Sequence, residues 1–533
     1  MLKIPYNRLH VRGTILFAAR SGRIHTFSLV DGKHISTWEH PDHKTVVQGD
    51  SEAPPAKRRR REDDDVNDDE RKDSKESTPI QEGEDEARGD KKTKSGGQGR
   101  PVARVPDRAV VTQLTSSLDG RYVVAVSGHD KIIWVFEHDG NGNLKQLSQR
   151  TMPKRPSAIA ISDSDSNIIC ADKFGDVYSL PLEYTPSSST ATAAVARRQT
   201  TPTTTPMGKT NGPAASTLTV HSKRNLEALK NQEKQLQLQQ RKSEEAANDK
   251  STDKKANPAE TDKEEGFELT LLLGHVSMLT SLLLAHDDSK GRKYIVTADR
   301  DEHIRISRYA PQAHVIETFC LGHTEFVNAL VIPDSEARLL VSGGGDDHLI
   351  TWDWLSGKPL SRTSILDLAR QIVPEIDKVA VSGLVSLSWP ATSESEGETY
   401  ILATCEDINA IFTWHLTPSG TLNRPGAIEL ASPPLDITVV PLASSPADGT
   451  TPLLVVAVNP AQSEAKSLQS FRLTVDDENS RRLAVRPGLV FGDAEVEADE
   501  MDASPAEIRQ LLYTVENLRK QRGENAAAAL SET

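Results

Sequence analysis

Only three cysteines, Cys170, Cys320 and Cys405, occur in 533 residues, and no two of them lie at metal-ligand spacing. Three cannot all pair within one chain, so a disulfide framework is excluded and a reducing compartment is expected. No apolar run approaches the ~18–20 residues that a bilayer-spanning helix needs. Residues 1–13 lack the charged-then-apolar pattern of a secretory signal. The expectation is a soluble intracellular protein without membrane contact. Positive charge is also short: 63 basic residues stand against 77 acidic ones, a net charge of −14. A protein that binds nucleic acid through its whole surface is usually basic, because phosphate neutralisation supplies most of the affinity. Here such contact would need a local basic patch or a basic partner. A phosphate cradle is missing too. Gly343-Gly344-Gly345 is followed by neither Lys-Ser/Thr nor a helical pattern and reads as a strand-to-strand turn, while Gly96-Gly97-Gln98-Gly99 lies in a polar stretch. With no strand–Gly-rich turn–helix unit and no helical His pair suited to zinc, neither a nucleotide-type cofactor, a metal nor a small-molecule substrate is expected.

What is present divides into two populations. Residues 41–105 run through Lys57, Arg58, Arg59, Arg60 and Arg61 into Asp63–Asp65 and mixed charge, and residues 185–265 are Ser/Thr/Pro-rich and then Gln/Lys/Glu-rich. Neither stretch can bury enough apolar surface to offset chain entropy, so both read as disordered insertions. The run Lys57–Arg61 reads as a nuclear localisation signal, with a solvated charge run as the alternative.

With the insertions set aside, a repeat emerges. Ser342, Asp346 and Trp352, followed by Asp353, carry the Trp-Asp signature, and Thr297, Asp301 and Ser307 fall at the same offsets one repeat earlier. Gly274-His275 and Gly322-His323 precede the two sets. The position of Trp352 can be followed as Phe27, Phe136, Leu180, Ser307, Trp352, Trp414 and Phe471, at intervals of about 45 residues that lengthen over the last two. Short apolar runs at 122–126, 294–297, 400–403 and 453–457 read as buried strands. The fold expected is all-β, a seven-bladed WD-repeat β-propeller with two long insertions and a C-terminal helix. Its parts are blade 1 with a closing strand within 1–40, the insertion 41–105, blades 2–3 at 106–184, the insertion 185–265, blades 4–7 at 266–476, a linker at 477–503, an amphipathic helix at 504–522 and a tail at 523–533. The closing strand is placed between Lys3 and Arg12. In the helix, Ser504-Pro505-Ala506-Glu507 is a capping box, and Ile508, Leu511, Leu512, Val515 and Leu518 share one face. Docking of that face on the propeller is favoured over docking on a partner.

His323, Ser342 and Asp346 have the composition of a hydrolase triad. A nucleophilic triad would occur once, yet the neighbouring repeat carries His275, Thr297 and Asp301. Both sets are therefore read as hydrogen-bonded blade locks with Trp352, and no catalytic residue is assigned. In Asp299-Arg300-Asp301-Glu302-His303-Ile304-Arg305, Arg300 and Arg305 could reach an end face, although spacing alone gives only ordinary surface charges.

Three segments, Leu271-Leu-Leu-Gly-His-Val-Ser-Met-Leu279, Thr297-Ala-Asp-Arg-Asp-Glu-His-Ile-Arg305 and Phe319-Cys-Leu-Gly-His-Thr-Glu-Phe-Val327, closely resemble the WD-repeat, non-catalytic subunit of tRNA (guanine-N7)-methyltransferase. The specific match covers about residues 269–355. The resemblance implies a nuclear heterodimer. Its catalytic subunit carries the Rossmann-like domain, S-adenosylmethionine and the basic tRNA surface, whereas this chain holds that subunit active and meets tRNA through the complex. The same resemblance makes Arg305, then Arg300 and His303, the expected partner contacts. A generic propeller adaptor of a ubiquitin-ligase or chromatin complex is the rival reading, and co-purification with a methyltransferase separates the two.

Overall fold

The computed structural model describes residues 2–43, 108–162, 164, 166–183, 268–389, 397–440, 451–460, 466–476, 482–492, 502–512 and 515–520. The greater part of both insertions, with Lys57–Arg61, lies outside the described residues. By its contacts the chain divides into a unit of residues 1–184 with 267–533 and a unit of residues 185–266; everything below concerns the first.

That unit holds seven four-stranded antiparallel sheets, each made of four strands consecutive in the chain. Blade 1 spans 8–39, blade 2 111–151, blade 3 156–274, blade 4 279–321, blade 5 327–364, blade 6 381–429 and blade 7 434–487. The first strand of every blade packs on the first strands of both neighbours, and blade 1 meets blade 7 in the same way, which closes the ring around a central channel. The followed positions Phe27, Phe136, Leu180, Ser307, Trp352, Trp414 and Phe471 all lie on third strands. The four apolar runs named from sequence are second strands and are almost wholly buried. Fourth strands are the wet ones, as in Leu144–Thr151 and Lys358–Ser364.

Seven apolar clusters hold the ring, each between two consecutive blades. Val341, Leu349, Ile401 and Phe412 join blade 5 to blade 6, for example, and Tyr6, Leu16, Val455 and Phe491 join blade 1 to blade 7. Burial of one such side chain contributes roughly 1.5–3 kcal/mol, so each blade is stable only against its neighbours. The inner strands are also laced together by side chains that reach the next blade's backbone. Asn7 donates to Val111 O at 2.8 Å, Arg8 to Thr112 O at 2.8 Å and Gln113 to Ser157 O at 2.9 Å.

Three boundary expectations are corrected. Among the described residues no blade borrows a terminal strand: Arg8–Arg12 is the first strand of blade 1, and Leu2–Lys3 pairs instead with Asp502–Ala503. Closure rests on apolar packing and on bonds across the seam, among them Leu9 N–H to Asp436 Oδ2 at 2.8 Å, Tyr6 N–H to Ser467 Oγ at 3.2 Å and Arg20 Nη2 to Ser467 Oγ at 3.4 Å. The second insertion interrupts blade 3 rather than separating blades, because Thr270–Gly274 is that blade's fourth strand. The expected linker 477–503 contains Arg482–Pro487, the fourth strand of blade 7.

At the C-terminus the capping box forms: Ser504 N–H donates to Glu507 Oε2 at 2.8 Å and Glu507 N–H to Ser504 Oγ at 3.3 Å. The helix it starts, Pro505–Leu512, is shorter than 504–522, and a 3₁₀ turn follows at Glu516–Leu518. Ile508 is buried with Ile4 and Ala503, with Leu2, Leu511 and Leu512 packed against them. The helix therefore docks on its own chain.

Candidate partner-docking face

Two blades carry a complete His–Asp–Ser–Trp lock. In blade 5 the Asp346 carboxylate sits 2.6 Å from His323 Nδ1, His323 Nε2 lies 2.7 Å from Ser342 Oγ, and the Trp352 indole donates to Ser342 Oγ at 2.8 Å. One proton arrangement satisfies every group: His323 donates from Nδ1, Ser342 donates to Nε2, and Trp352 donates to Ser342. Ser342 has no exposed surface and His323 very little, so the set locks strands together and presents no nucleophile. Burial alone would raise the Asp346 pKa. Hydrogen bonds from His323 and Thr324 outweigh it and hold the carboxyl below its ordinary value.

Blade 2 carries the second lock, which the sequence reading missed. His40 Nε2 lies 2.9 Å from Asp130 Oδ2, Ser127 donates to Asp130 Oδ1 at 2.5 Å, and Trp134 donates to Ser127 at 2.8 Å. Its indole sits two residues before Phe136, the position tracked by the repeat, and its His lacks a preceding Gly. The available signal was Ser127, Asp130 and Trp134 at offsets of three and seven instead of four and ten.

Blade 4 corrects one assignment. Thr297 Oγ1 lies 2.9 Å from His275 Nε2 as expected, but the carboxylate behind His275 belongs to Asp299, not Asp301. Asp299 Oδ1 accepts the backbone N–H groups of Asp301 and His303 at 2.9 and 3.0 Å. The two hairpins are equally long, since Thr297 pairs with Arg305 and Ser342 with Ile350. They differ at the residue two after the hydroxyl. In blade 5 that place is Gly344, where a Cβ would stand 1.8 Å from Phe326 O. No side chain fits there, so Asp346 supplies the carboxylate two residues later. Blade 4 has room for Asp299, which frees Asp301 to turn outward.

Arg305 is corrected as well. It is 8% exposed, and its guanidinium donates to Ser307 Oγ and Gly274 O, both at 2.9 Å. Burial lowers its pKa. With Ser307 at the Trp position, blade 4 lacks an indole donor, and Arg305 provides the bonds that tie its third strand to the preceding loop. Arg300 donates from Nε to Leu518 O at 2.7 Å. Of the three expected contacts only His303 is outward, its side chain about half exposed and its Nδ1 3.5 Å from Asp299 Oδ1.

The element that occupies Arg300 is the C-terminal strap 515–520, a second feature absent from the sequence reading. Arg519 donates to Gly345 O at 2.8 Å and Val379 O at 2.9 Å and stands over the Phe326 ring. Lys520 pairs with Asp301 at 3.1 Å and Glu302 at 3.2 Å, and Lys378 pairs with Glu516 at 2.6 Å. The strap thus crosses the second-to-third-strand turns of blades 4 and 5 and reaches the entry to blade 6. Beside it, on blades 3 and 4, lie two bare apolar side chains, Phe174 and Val276. Their loops are joined by His275 N–H donating to Gly175 O at 2.7 Å. Lys154 covers one side of the Phe174 ring at 4.3 Å. This end face therefore presents apolar Phe174 and Val276 next to His303 and the acidic pair Asp301 and Glu302.

The family model described as tRNA methyltransferase TRM82 WD40 domain matches residues 16–484. A protein of Sclerotinia sclerotiorum named tRNA (guanine-N(7)-)-methyltransferase non-catalytic subunit trm82 is 37% identical, over 98% of this chain and 99% of that protein. The protein of the same name from Aspergillus fumigatus is 36% identical over 95% of this chain and 94% of its own length, and that of Phaeosphaeria nodorum 38% identical over 77% and 83%. With buried polar sets that lock blades instead of opening to substrate, and with this similarity from end to end, the chain belongs to the family of tRNA (guanine-N7)-methyltransferase non-catalytic subunits.

Proposed function

We propose that this chain is the non-catalytic half of a heterodimer that forms N7-methylguanosine in the tRNA variable loop, binding the catalytic subunit and holding it in an active conformation. The observation that carries the reading is similarity over nearly the whole length to proteins named as that subunit. S-adenosylmethionine and the reacting guanine belong, on this reading, to the partner, and tRNA is met through the complex. The basic run Lys57–Arg61 supports a nuclear site of action.

The partner docks on the end face of blades 3 and 4. Phe174 and Val276 supply desolvation, and Asp301, Glu302 and His303 form the polar rim, an arrangement typical of a small apolar centre with charged surroundings. Val276→Asp is expected to weaken the heterodimer at least tenfold and leave the melting temperature of the free chain unchanged. The test is a pull-down of the methyltransferase at one-to-one stoichiometry, followed by nucleoside analysis of tRNA from cells lacking this chain. Normal N7-methylguanosine in those cells overturns the function. Unchanged binding by the variant overturns the face.

A further inference from the structure

The channel at the centre of the ring contains a cavity of about 380 Å³, walled by the first strands of all seven blades and covered by Leu511, Leu512, Val515 and Leu518 of the C-terminal segment. Its wall is not evenly charged. Among the described residues Arg8, Arg108, His129, Arg155 and Lys173 face it, against one carboxylate, Glu406.

Some of these cations are answered. Arg8 donates to Thr112 O and its charge acts on Asp436, and the charge of Arg108 acts on Glu507 of the helix. Glu406 lies on the other side of the ring and accepts Glu516 N–H at 2.7 Å. The side chains of Arg155 and Lys173 form no hydrogen bond or ion pair among the described residues. Arg108 Nη1 and His129 Nδ1 are buried atoms without a hydrogen-bond partner, while His129 Nε2 lies 3.5 Å from Asp42 and 3.7 Å from Asp130. The nearest carboxylate in sequence, Asp172, turns its Oδ1 to the N–H groups of Phe174 and Asp176 at 2.7 and 3.1 Å.

Arg155 and Lys173 are held side by side, because Lys173 N–H donates to Arg155 O at 3.0 Å across the first two strands of blade 3. Burial lowers the pKa of both, and the Arg155 charge lowers that of Lys173 further. Arg155 is partly buried and Lys173 exposed, and two like charges held side by side repel, a cost that neither a carboxylate nor a backbone carbonyl offsets among the described residues. A multivalent anion would offset it, and Arg with Lys is the pair that recognises phosphate oxygens.

We propose that the channel beneath the C-terminal helix is a binding site for a small phosphate-bearing anion, held by Arg155 and Lys173 with Arg108 and His129 beside them. The size of the cavity and its apolar cover select a free anion over an RNA backbone. The proposal does not rest on the partner-docking reading, although Lys173 directly precedes Phe174 of that face.

The experiment titrates inorganic pyrophosphate into the full chain by calorimetry, at fixed ionic strength set with chloride. The wild type is expected to bind saturably at one site per chain, and Arg155→Gln with Lys173→Gln to bind at least tenfold more weakly. Lys173→Gln alone is expected to melt higher than the wild type without pyrophosphate, because the like charge beside Arg155 is gone, and lower at saturating pyrophosphate. Ser157→Asp, which adds a channel carboxylate and keeps both cations, is expected to reduce binding equally, so a misfolded double variant leaves the question decidable. Absence of saturable heat with the wild type, or equal binding by wild type and variants, overturns the proposal. So does loss of tRNA affinity by the variant heterodimer with no pyrophosphate binding in the wild type, which would make these cations an RNA surface. Ser157→Asp leaves Lys173 and Phe174 untouched and is expected to co-purify with the methyltransferase, which keeps this test separate from that of the proposed function.

Discussion

Replacing Arg305 by Glu separates a blade-locking role from a docking role. In the structure the guanidinium makes two hydrogen bonds, to Ser307 Oγ and Gly274 O, from a position 8% exposed. A hydrogen bond to a charged group contributes about 1.5–3 kcal/mol, and leaving its partner unsatisfied adds to the loss. Glu removes both bonds and directs a carboxylate toward the Gly274 carbonyl oxygen, in the same blade as Asp299. The expected cost is about 3–5 kcal/mol. For domains of 150–250 residues each kcal/mol lowers the melting temperature by about 2–4 °C. This ring is larger and sits at the low end, so a fall of roughly 6 °C or more is expected. The assay is differential scanning calorimetry of the free chain, with Lys145→Glu as the control, since that lysine is 76% exposed. Arg305→Gln, which can keep one donor, falls between. If Arg305→Glu melts within about 1 °C of the wild type and instead loses its methyltransferase partner, the guanidinium is a docking group and the argument from burial fails.

Further outcomes follow from the same geometry. Ser342→Ala strands His323 Nε2 and the Trp352 indole N–H, and is expected to cost about 2–4 kcal/mol, read in the melting temperature and the tryptophan emission. Gly344→Ala places a Cβ 1.8 Å from Phe326 O, and the soluble yield of the variant should drop sharply relative to Gly13→Ala, which meets nothing within 4 Å and carries only the strain of a φ of +57°. The carboxyls of Asp130, Asp299 and Asp346 are all opposed by burial but held below their ordinary pKa, chiefly by the neighbouring imidazoles of His40, His275 and His323 respectively. A depressed carboxyl contributes stability that is present above its unfolded pKa and lost as pH falls through its folded value. Stability should therefore fall below about pH 4, with Asp346→Asn giving a shallower acid slope; an unchanged slope would show that this lock does not carry the acid response. Deletion from residue 515 onward should raise hydrogen exchange at 299–303 and 345, the turns that Arg519 and Lys520 hold, and unchanged protection there would remove the strap from the account.

How much could be read in advance depended on how local each feature is. The third-strand positions from Phe27 to Phe471 were legible because a propeller repeats one four-stranded unit, and its apolar spacing survives even where Trp is replaced by Leu180 or Ser307. The blade 5 lock was legible for the same reason. Asp301 was misassigned because equal offsets were assumed to mean equal turns, whereas the choice between Asp299 and Asp346 hangs on whether a Cβ fits against the neighbouring loop. Arg305 looked like a surface residue because its partners, Ser307 and Gly274 O, converge only when the third strand packs beneath the preceding loop.

The sequence by itself determined the seven-fold repeat and, through segments such as 297–305, the family. Those properties reside in short stretches whose pattern is preserved along the chain. Tertiary structure alone decided which side chains face outward, where the strap lies and what lines the channel. Each of these brings together residues separated by tens to hundreds of positions, as Arg300 meets Leu518 and Leu9 meets Asp436, and no local pattern encodes a contact made by closing a ring.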